Sequence, residues 1–438
     1  MVKIKVLLVG HSARAHVIAE TLKKNKTAKL FSFMKSKNPG IVALSEKVKI
    51  GSYSDLDSVK KFAEENNIDF AFIGPEDPLN AGVVDKLQEI GIESIGPTKL
   101  LARLETSKSF TRELLEKYDI DGNPKFKVFN KENFNEIKDF FSEINGIVVK
   151  PDGLTGGKGV KVQGDHFNTK EEALAYCKEV LETHPAVVVE EKLDGEEFSL
   201  QCLTDGKTVI ATPPVQDHKR AYDGDKGPNT GGMGSYSCED HLLPFLKKEH
   251  VDDALKITQK TVDAIHGETG LYYKGVMYGG FILTKGGVKL IEFNARFGDP
   301  EAMNVLPLLK TDFAFFCQSI IVQELEKIKV EFEKKATVCK YIVPEGYPDN
   351  PLKNEKIDAG VPEKARRYYA SVDEKKDGLY MTGSRAIAVL GIGNNLDDAE
   401  KIAEDATASV KGKVFHRKDI GTKELIEKRV KHIKSITG

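Results

Sequence analysis

Residues 4–9 read IKVLLV, a short apolar run that stops at a turn beginning with Gly10 and gives way to a helical pattern from about Ala15 to Lys24. This run is too short for a helix, and with a turn behind it, it reads as a continuous buried strand. The pattern then recurs. A second strand, Asp69–Ile73, runs into Gly74-Pro75, a helix follows near Ala81–Ile90, and a short strand closes at Glu93–Ile95. Strands alternating with helices force a parallel sheet with helices on its faces. Residues 1–103 therefore form an N-terminal parallel α/β domain.

The texture changes after residue 103. A helix spans Ser107–Tyr118, and strand Gly146–Lys150 enters a glycine-rich loop before a strand at Gly159–Val162. Helix Lys170–Glu182, strand Ala186–Glu190 and strand Phe198–Leu203 follow. Residues 216–234 read as a long stretch without secondary structure. A helix across 249–266, a hairpin of strands 275–283 and 288–294, and a helix ending near Glu326 complete a unit of residues 104–330. Residues 331–438 read as a smaller α/β domain, with strands at Ala336–Ile342 and Arg385–Gly391, helix Leu396–Ala408 and a charged terminal helix.

Composition narrows the function classes. Lys plus Arg (65) nearly balances Asp plus Glu (67), so no global basic field gathers nucleic acid or an anionic membrane. An anionic substrate must be held by local cations. Five unpaired-looking cysteines, none at CxxC spacing, argue for reduced thiols of the cytoplasm over a disulfide framework or zinc site. The apolar run at the N-terminus lacks a cleavage site, so it is a strand and not a signal peptide. No segment reaches the ~20 apolar residues of a membrane span.

Four segments carry chemistry. VVKPDGLTGGKGV (148–160) sets four glycines and two lysines between two strands. Glycines bring backbone N–H groups close to phosphate, and lysines add point charges. Taken alone, the segment also reads as an ordinary hairpin turn. IEFNARFGDPE (291–301) puts Glu292, Asn294 and Arg296 on one face of a strand and Phe293, Ala295 and Phe297 on the other. A carboxylate plus an amide oxygen suits magnesium, and Arg296 suits a transferring phosphoryl group. A solvated edge strand gives the same alternation. VVVEEKLDGEE (187–197) brackets a turn with acidic pairs that can accept from an adenine amino group or ribose hydroxyls, or simply face solvent. In residues 216–234, Asp217, His218, Lys219 and Arg220 stand beside five glycines, as in an anion-holding loop or a mobile surface loop. More weakly, Gly10 to Arg14 open a helix after a strand, and Gly74-Pro75-Glu76-Asp77 end another.

Together these stretches resemble the phosphoribosylamine–glycine ligase family of the ATP-grasp superfamily, across nearly the whole chain and in the family's order. QDHKRAYDGDKGPNTGGMGSYS (216–237) and IEFNARFGDPE are the most specific, and GPEDPLNAG (74–82) and IGPTK with SKSFT (95–111) add to them. The resemblance implies an N-terminal α/β domain, a two-lobed ATP-grasp unit with a mobile small lobe at about 124–188, and a C-terminal domain. It implies ATP between the lobes. Lys108 and Lys150 would contact phosphates, with the loop of Gly153, Gly156, Gly157, Lys158 and Gly159 closing over them. Glu190 would meet adenine, helped by the backbone of Glu191 and Leu193, and Glu197 would meet the ribose. Glu292 and Asn294 would bind Mg2+ or Mn2+. Asp217, His218, Lys219, Arg220, Arg296 and Asp299 would face glycine and its acyl phosphate, with Asp217, Lys219 and Arg296 catalytic. Gly10, Arg14, Glu76 and Asp77 would contact 5-phosphoribosylamine. The implied protein is a cytoplasmic monomer or weak homodimer that makes glycinamide ribonucleotide for purine biosynthesis. Two other readings stay open: another ATP-grasp ligase of purine metabolism, and a non-catalytic nucleotide-binding protein. One loop departs from the family pattern. Members carry a glycine-richer turn ending Arg-Glu-His, where this chain has Ala13, Arg14, Ala15 and His16.

Overall fold

The computed structural model describes residues 3–154, 159–360 and 362–438. Gly156, Gly157 and Lys158 of the glycine-rich loop lie outside them. Five parallel strands form the N-terminal sheet, in the order Lys47–Ile50, Ala28–Met34, Ile4–Val9, Phe70–Ile73, Ser94–Ile95. Sequence reading misses the first two. Lys29 and Ser32 break the apolar run of one, and the other (KVKI) is a half-exposed edge. The order reverses between Ile4–Val9 and Phe70–Ile73, so a crevice opens at the carboxyl ends of those two strands. Gly10 and Gly74 sit there, and the Gly74 N–H donates to Val9 O at 2.9 Å. A side chain at Gly10 would bring its Cβ to 2.9 Å from Ala15 Cβ. The first helix, Ala13–Lys23, starts earlier than expected because Ser12 caps it, and this puts Arg14 in its first turn. The helix expected at 81–90 is two short helices, Glu76–Ala81 and Val83–Gln88, divided at Gly82 with φ +90°.

Two antiparallel sheets follow. The smaller has the order Phe126–Phe129, Val187–Glu191, Ile147–Pro151, Lys161–Val162. Helix Lys170–Thr183 backs it, fixed at its start by a reciprocal cap between Thr169 and Glu172. Phe129, Phe140, Val149, Cys177 and Val187 belong to an apolar cluster that this lobe keeps to itself. The larger sheet has the order Val209–Ala211, Gly195–Thr204, Gly275–Thr284, Gly287–Asn294. Helix Lys248–Thr269 packs on it, and its core is continuous with that of the N-terminal sheet. A bulge interrupts the last pair: Gly280 faces Glu292 while Phe281 faces Leu290, so Ile291 has no partner in the ladder.

Residues 216–234 are not structureless. Gln216–Asp217 and Gly234–Ser237 are strands, and Arg220–Tyr222 pairs with Lys226–Asn229 in a hairpin between them. The partner that makes them strands is remote in sequence. Gly234–Ser237 pairs antiparallel with Ala336–Pro344, which in turn pairs with Ile387–Gly393. Helices Leu396–Ala408 and Lys423–Thr437 fall where expected. The polar region before Arg385 adds strands Lys356–Ile357, Arg366–Tyr369, Val372–Lys375 and Gly378–Met381. The helix expected to end near Glu326 is Phe313–Ile321, followed by a separate 3-10 turn at Leu325–Lys327. Among the described residues no helix is long and apolar enough to cross a membrane.

Candidate active site

The bulge at Ile291 is where the two lobes are wired together. Its carbonyl, free of the ladder, accepts from Arg112 Nη2 at 2.7 Å and from Lys150 Nζ at 3.0 Å. Arg112 also donates to Leu290 O at 3.0 Å and grips Glu190 through Nε–Oε1 at 2.7 Å and Nη2–Oε2 at 3.0 Å. Lys150 Nζ completes the cluster, 2.7 Å from Glu190 Oε2. Burial alone would raise the Glu190 carboxyl, but Arg112 and Lys150 outweigh it and hold it below its ordinary value. Arg112, absent from the sequence-based set, lies one helical turn after Lys108 on helix Lys108–Lys117, and that spacing was its one legible signal.

Both ends of the glycine-rich loop are anchored. Lys108 Nζ donates to Gly153 O at 2.8 Å. Asp152 accepts from Ser109 N at 3.1 Å and Ser109 Oγ at 2.6 Å, at the helix N-terminus. On the far side, Tyr176 OH donates to Gly159 O at 2.7 Å. The Glu191 N–H is already committed to Lys125 O at 2.9 Å, and its carboxylate accepts from Lys125 N at 2.8 Å. Leu193 is half-buried in the turn that follows.

Strand alternation builds the other wall. Glu197, Ser199, Asp217, Lys219, Tyr278 and Glu292 line one narrow cavity. Lys219 Nζ lies 2.9 Å from Glu197 Oε2, and Glu197, followed by the more distant Glu292 and Asp217, raises its proton affinity against the cost of burial. Burial pushes the Glu292 carboxyl up, yet Lys219, Lys150, Lys108 and Arg296 together bring it below the ordinary glutamate value. Cations from the helix, the small lobe and the large lobe thus act on one carboxylate through their field, while each is bonded to another group. Asn294 Oδ1 accepts from Arg296 Nη2 at 3.2 Å. Arg296 is clamped between Glu105 at 2.9 Å and Glu76 at 3.2 Å, and Glu105, buried and unanticipated, also accepts from Ala295 N at 2.8 Å. As expected from the alternation, Phe293, Ala295 and Phe297 are buried on the opposite face.

The remaining residues divide. Arg14 donates to Phe297 O at 2.7 Å and pairs with Glu76 at 3.2 Å, so the N-terminal crevice opens directly onto Arg296. Asp77 is exposed beside it. Arg220 pairs with Asp165 of the small lobe at 2.9 Å and donates to Gly227 O at 3.0 Å. His218 is a correction. It lies between Asp217 and Lys219 on the strand's other face, 2 % exposed, with its ring 6.0 Å from that of Tyr236. Burial first, then Arg417, lowers its pKa to about 3, so it stays neutral and packs away from the cavity. Asp299 also turns inward, accepting from Tyr341 OH and lying 3.3 Å from Arg385. Arg385 sits in a polar tract with no motif, and nothing in the sequence singled it out.

Comparison with known proteins agrees with this architecture along the whole chain. The N, ATP-grasp (A) and C domains of phosphoribosylglycinamide synthetase match residues 4–105, 106–302 and 337–423. The chain is 53% identical to phosphoribosylamine–glycine ligase of Methanocaldococcus jannaschii, over 99% of each chain. It is 51% identical to the protein of the same name from Methanococcus maripaludis, again over 99% of each. The crystal structure of phosphoribosylamine–glycine ligase from Thermotoga maritima superposes with a TM-score of 0.79 at 26% identity, covering 95% of this chain and 100% of that one. The chain belongs to the phosphoribosylglycinamide synthetase family of ATP-grasp ligases.

Proposed function

We propose that this enzyme joins glycine to 5-phosphoribosylamine at the expense of ATP, giving glycinamide ribonucleotide, ADP and phosphate. The observation that carries the reading is that Lys219 and Glu292 line one cavity, with Lys150 bonded to the Ile291 carbonyl and Arg296 to the Asn294 amide oxygen beside it. A carboxylate resists attack by an amine until it is phosphorylated, and phosphoryl transfer needs charge neutralisation and alignment more than covalent help. Lys108 and Lys150 hold the nucleotide phosphates, with Glu190 at the adenine end and Glu197 at the ribose. The glycine carboxylate attacks the γ-phosphate beside Arg296 and Lys219. The amine of phosphoribosylamine, presented from the crevice of Gly10, Arg14, Glu76 and Asp77, then displaces phosphate from glycyl phosphate. The loop from Gly153 to Gly159 keeps water from that intermediate.

A magnesium or manganese ion fits the donors present. Among the described residues no group of three or more His, Cys, Asp or Glu holds a metal alone. The ionised Glu292 and the Asn294 amide oxygen supply two hard ligands, and such sites take the rest from substrate phosphates and water. When bound, the ion would neutralise charge on the transferring phosphoryl group. We place the enzyme in the cytoplasm as a monomer or weak homodimer. The test is ADP release that requires both glycine and freshly generated phosphoribosylamine. Equal turnover with alanine, formate or bicarbonate in place of glycine points instead to a different ATP-grasp ligase, and no turnover at all to a non-catalytic binder.

A further inference from the structure

Arg385 lies between strands Gly378–Met381 and Ile387–Gly393, outside every motif, yet its guanidinium reaches the site. Nη1 donates to the carbonyls of Gly231, of Gly232 at 2.9 Å and of Asp299 at 2.9 Å. Its Nη2 is 3.3 Å from Asp299 Oδ1. The cation lies 4.4 Å from the centroid of the Tyr341 ring, whose hydroxyl donates to the same Asp299 oxygen. One side chain from the C-terminal sheet therefore ties the end of the 216–234 segment to the turn after Asn294.

What it ties down is the wall of the Asp217 carboxylate. Gly232 has φ +103°, and a Cβ there would lie 2.7 Å from Asp217 Oδ1 and 3.3 Å from Arg385 Nη1. Only a glycine lets the chain pass so close in this left-handed conformation. The carbonyls of Gly231 and Gly232 point at Arg385. The cations that act on Asp217 are engaged elsewhere, Lys219 with Glu197 at 2.9 Å and Arg385 with Asp299 at 3.3 Å. Behind Asp217, Glu301 is buried and accepts from Tyr278 OH at 2.8 Å, and like burial itself its carboxylate pushes the proton affinity of Asp217 up. Asp217 Oδ1 accepts from His218 N at 2.7 Å, and among the described residues no cation pairs with the carboxylate, so it lines the cavity able to receive an ammonium group.

We propose that Arg385 is the positioning residue of an amino-group subsite, holding the Gly231–Gly232 backbone and Asp299 so that Asp217 meets the ammonium of the amino-acid substrate. This rests on the functional reading above, with glycine as that substrate. Arg385 acts through Asp217 and does not touch the reacting atoms. The experiment compares wild type with Arg385→Gln, Arg385→Lys and Tyr341→Phe in steady-state ADP release. Arg385→Gln is expected to raise KM for glycine about tenfold while KM for ATP stays within about twofold and kcat at saturating glycine falls less than KM rises. Arg385→Lys recovers part of the loss, because an ammonium still donates to the carbonyls. Tyr341→Phe, which keeps the ring and loses one donor to Asp299, gives the same selective shift at a smaller size, and it decides the matter if Arg385→Gln does not fold. An unchanged KM for glycine, or KM values for glycine and ATP that rise together, overturns the proposal. A wild-type chain that releases no ADP with glycine fails at the functional reading itself and takes this proposal with it, whereas an active wild type with unshifted variants sinks the proposal alone.

Discussion

Arg112 and Glu190 face each other across the two lobes as a two-pronged ion pair, 2.7 and 3.0 Å long and almost wholly buried. Removing one member of such a pair costs about 3–5 kcal/mol when it strands a charge in the interior. Lys150 stays 2.7 Å from Glu190 when Arg112 is lost, so Arg112→Ala should lower stability by less than that in chemical denaturation. The pair also fixes a pH dependence. The folded-state pKa of Glu190 is lowered, so its contribution is complete above the ordinary glutamate range and is lost as pH falls through the lowered value. The acid limb of the wild-type stability curve should therefore be steeper than that of Arg112→Ala.

Glu292 has no side-chain hydrogen bond or ion pair among the described residues and is held charged by the field of nearby cations, so its loss should affect chemistry more than folding. Glu292→Gln keeps the shape and removes the charge. Turnover in the ADP-release assay should fall at least about 100-fold. The circular dichroism spectrum should match wild type, and a variant with near-normal turnover would remove Glu292 from the phosphoryl-transfer machinery.

His16 joins the first helix to the C-terminal sheet. Its Nδ1 accepts from Tyr369 N at 3.0 Å, and its ring stacks on that of Tyr369 with centroids 5.7 Å apart. Burial first, then Arg367, lowers its pKa from 6.5 to about 4. Between those values the unfolded chain binds the proton and the folded one does not, so stability falls as pH drops through this window. The lost contribution between pH 7 and pH 5 is about 2 kcal/mol. His16→Gln should be correspondingly less acid-sensitive in urea titrations at the two pH values.

Gly391 lies in strand Ile387–Gly393 under helix Leu396–Ala408, where an added Cβ would stand 2.0 Å from Ala399 O. Backbone cannot swing aside as a side-chain tip can. Gly391→Ala should cost about 1–3 kcal/mol through overpacking. A thermal midpoint equal to wild type would show that the helix sits further from the sheet than the structure has it.

The parts legible in sequence were those whose signal is local. Strand Ile4–Val9 and helix Leu396–Ala408 announce themselves by periodicity and caps, and the motif around Glu292 by its alternation. What stayed hidden depends on partners far along the chain. Ala28–Met34 reads as polar-interrupted until it pairs with Ile4–Val9. The strands within 216–237 exist because Ala336–Pro344 supplies the ladder. His218 looked like its neighbours Asp217 and Lys219 because clustering along the sequence does not tell which face of a strand a side chain takes. Arg112, Glu105 and Arg385 matter through contacts with residues that a linear reading has no reason to bring near them.

Because Gly234–Ser237 is hydrogen-bonded to Ala336–Pro344, the boundary that looks natural along the chain cuts through a sheet in space. A chain truncated ahead of Ala336 would keep every motif and still expose an unpaired strand edge beside Asp217, an invitation to aggregate. The same holds for chimeras: a foreign tail would have to arrive with its own matching 216–237 segment, since the two halves of that ladder are inherited as one piece.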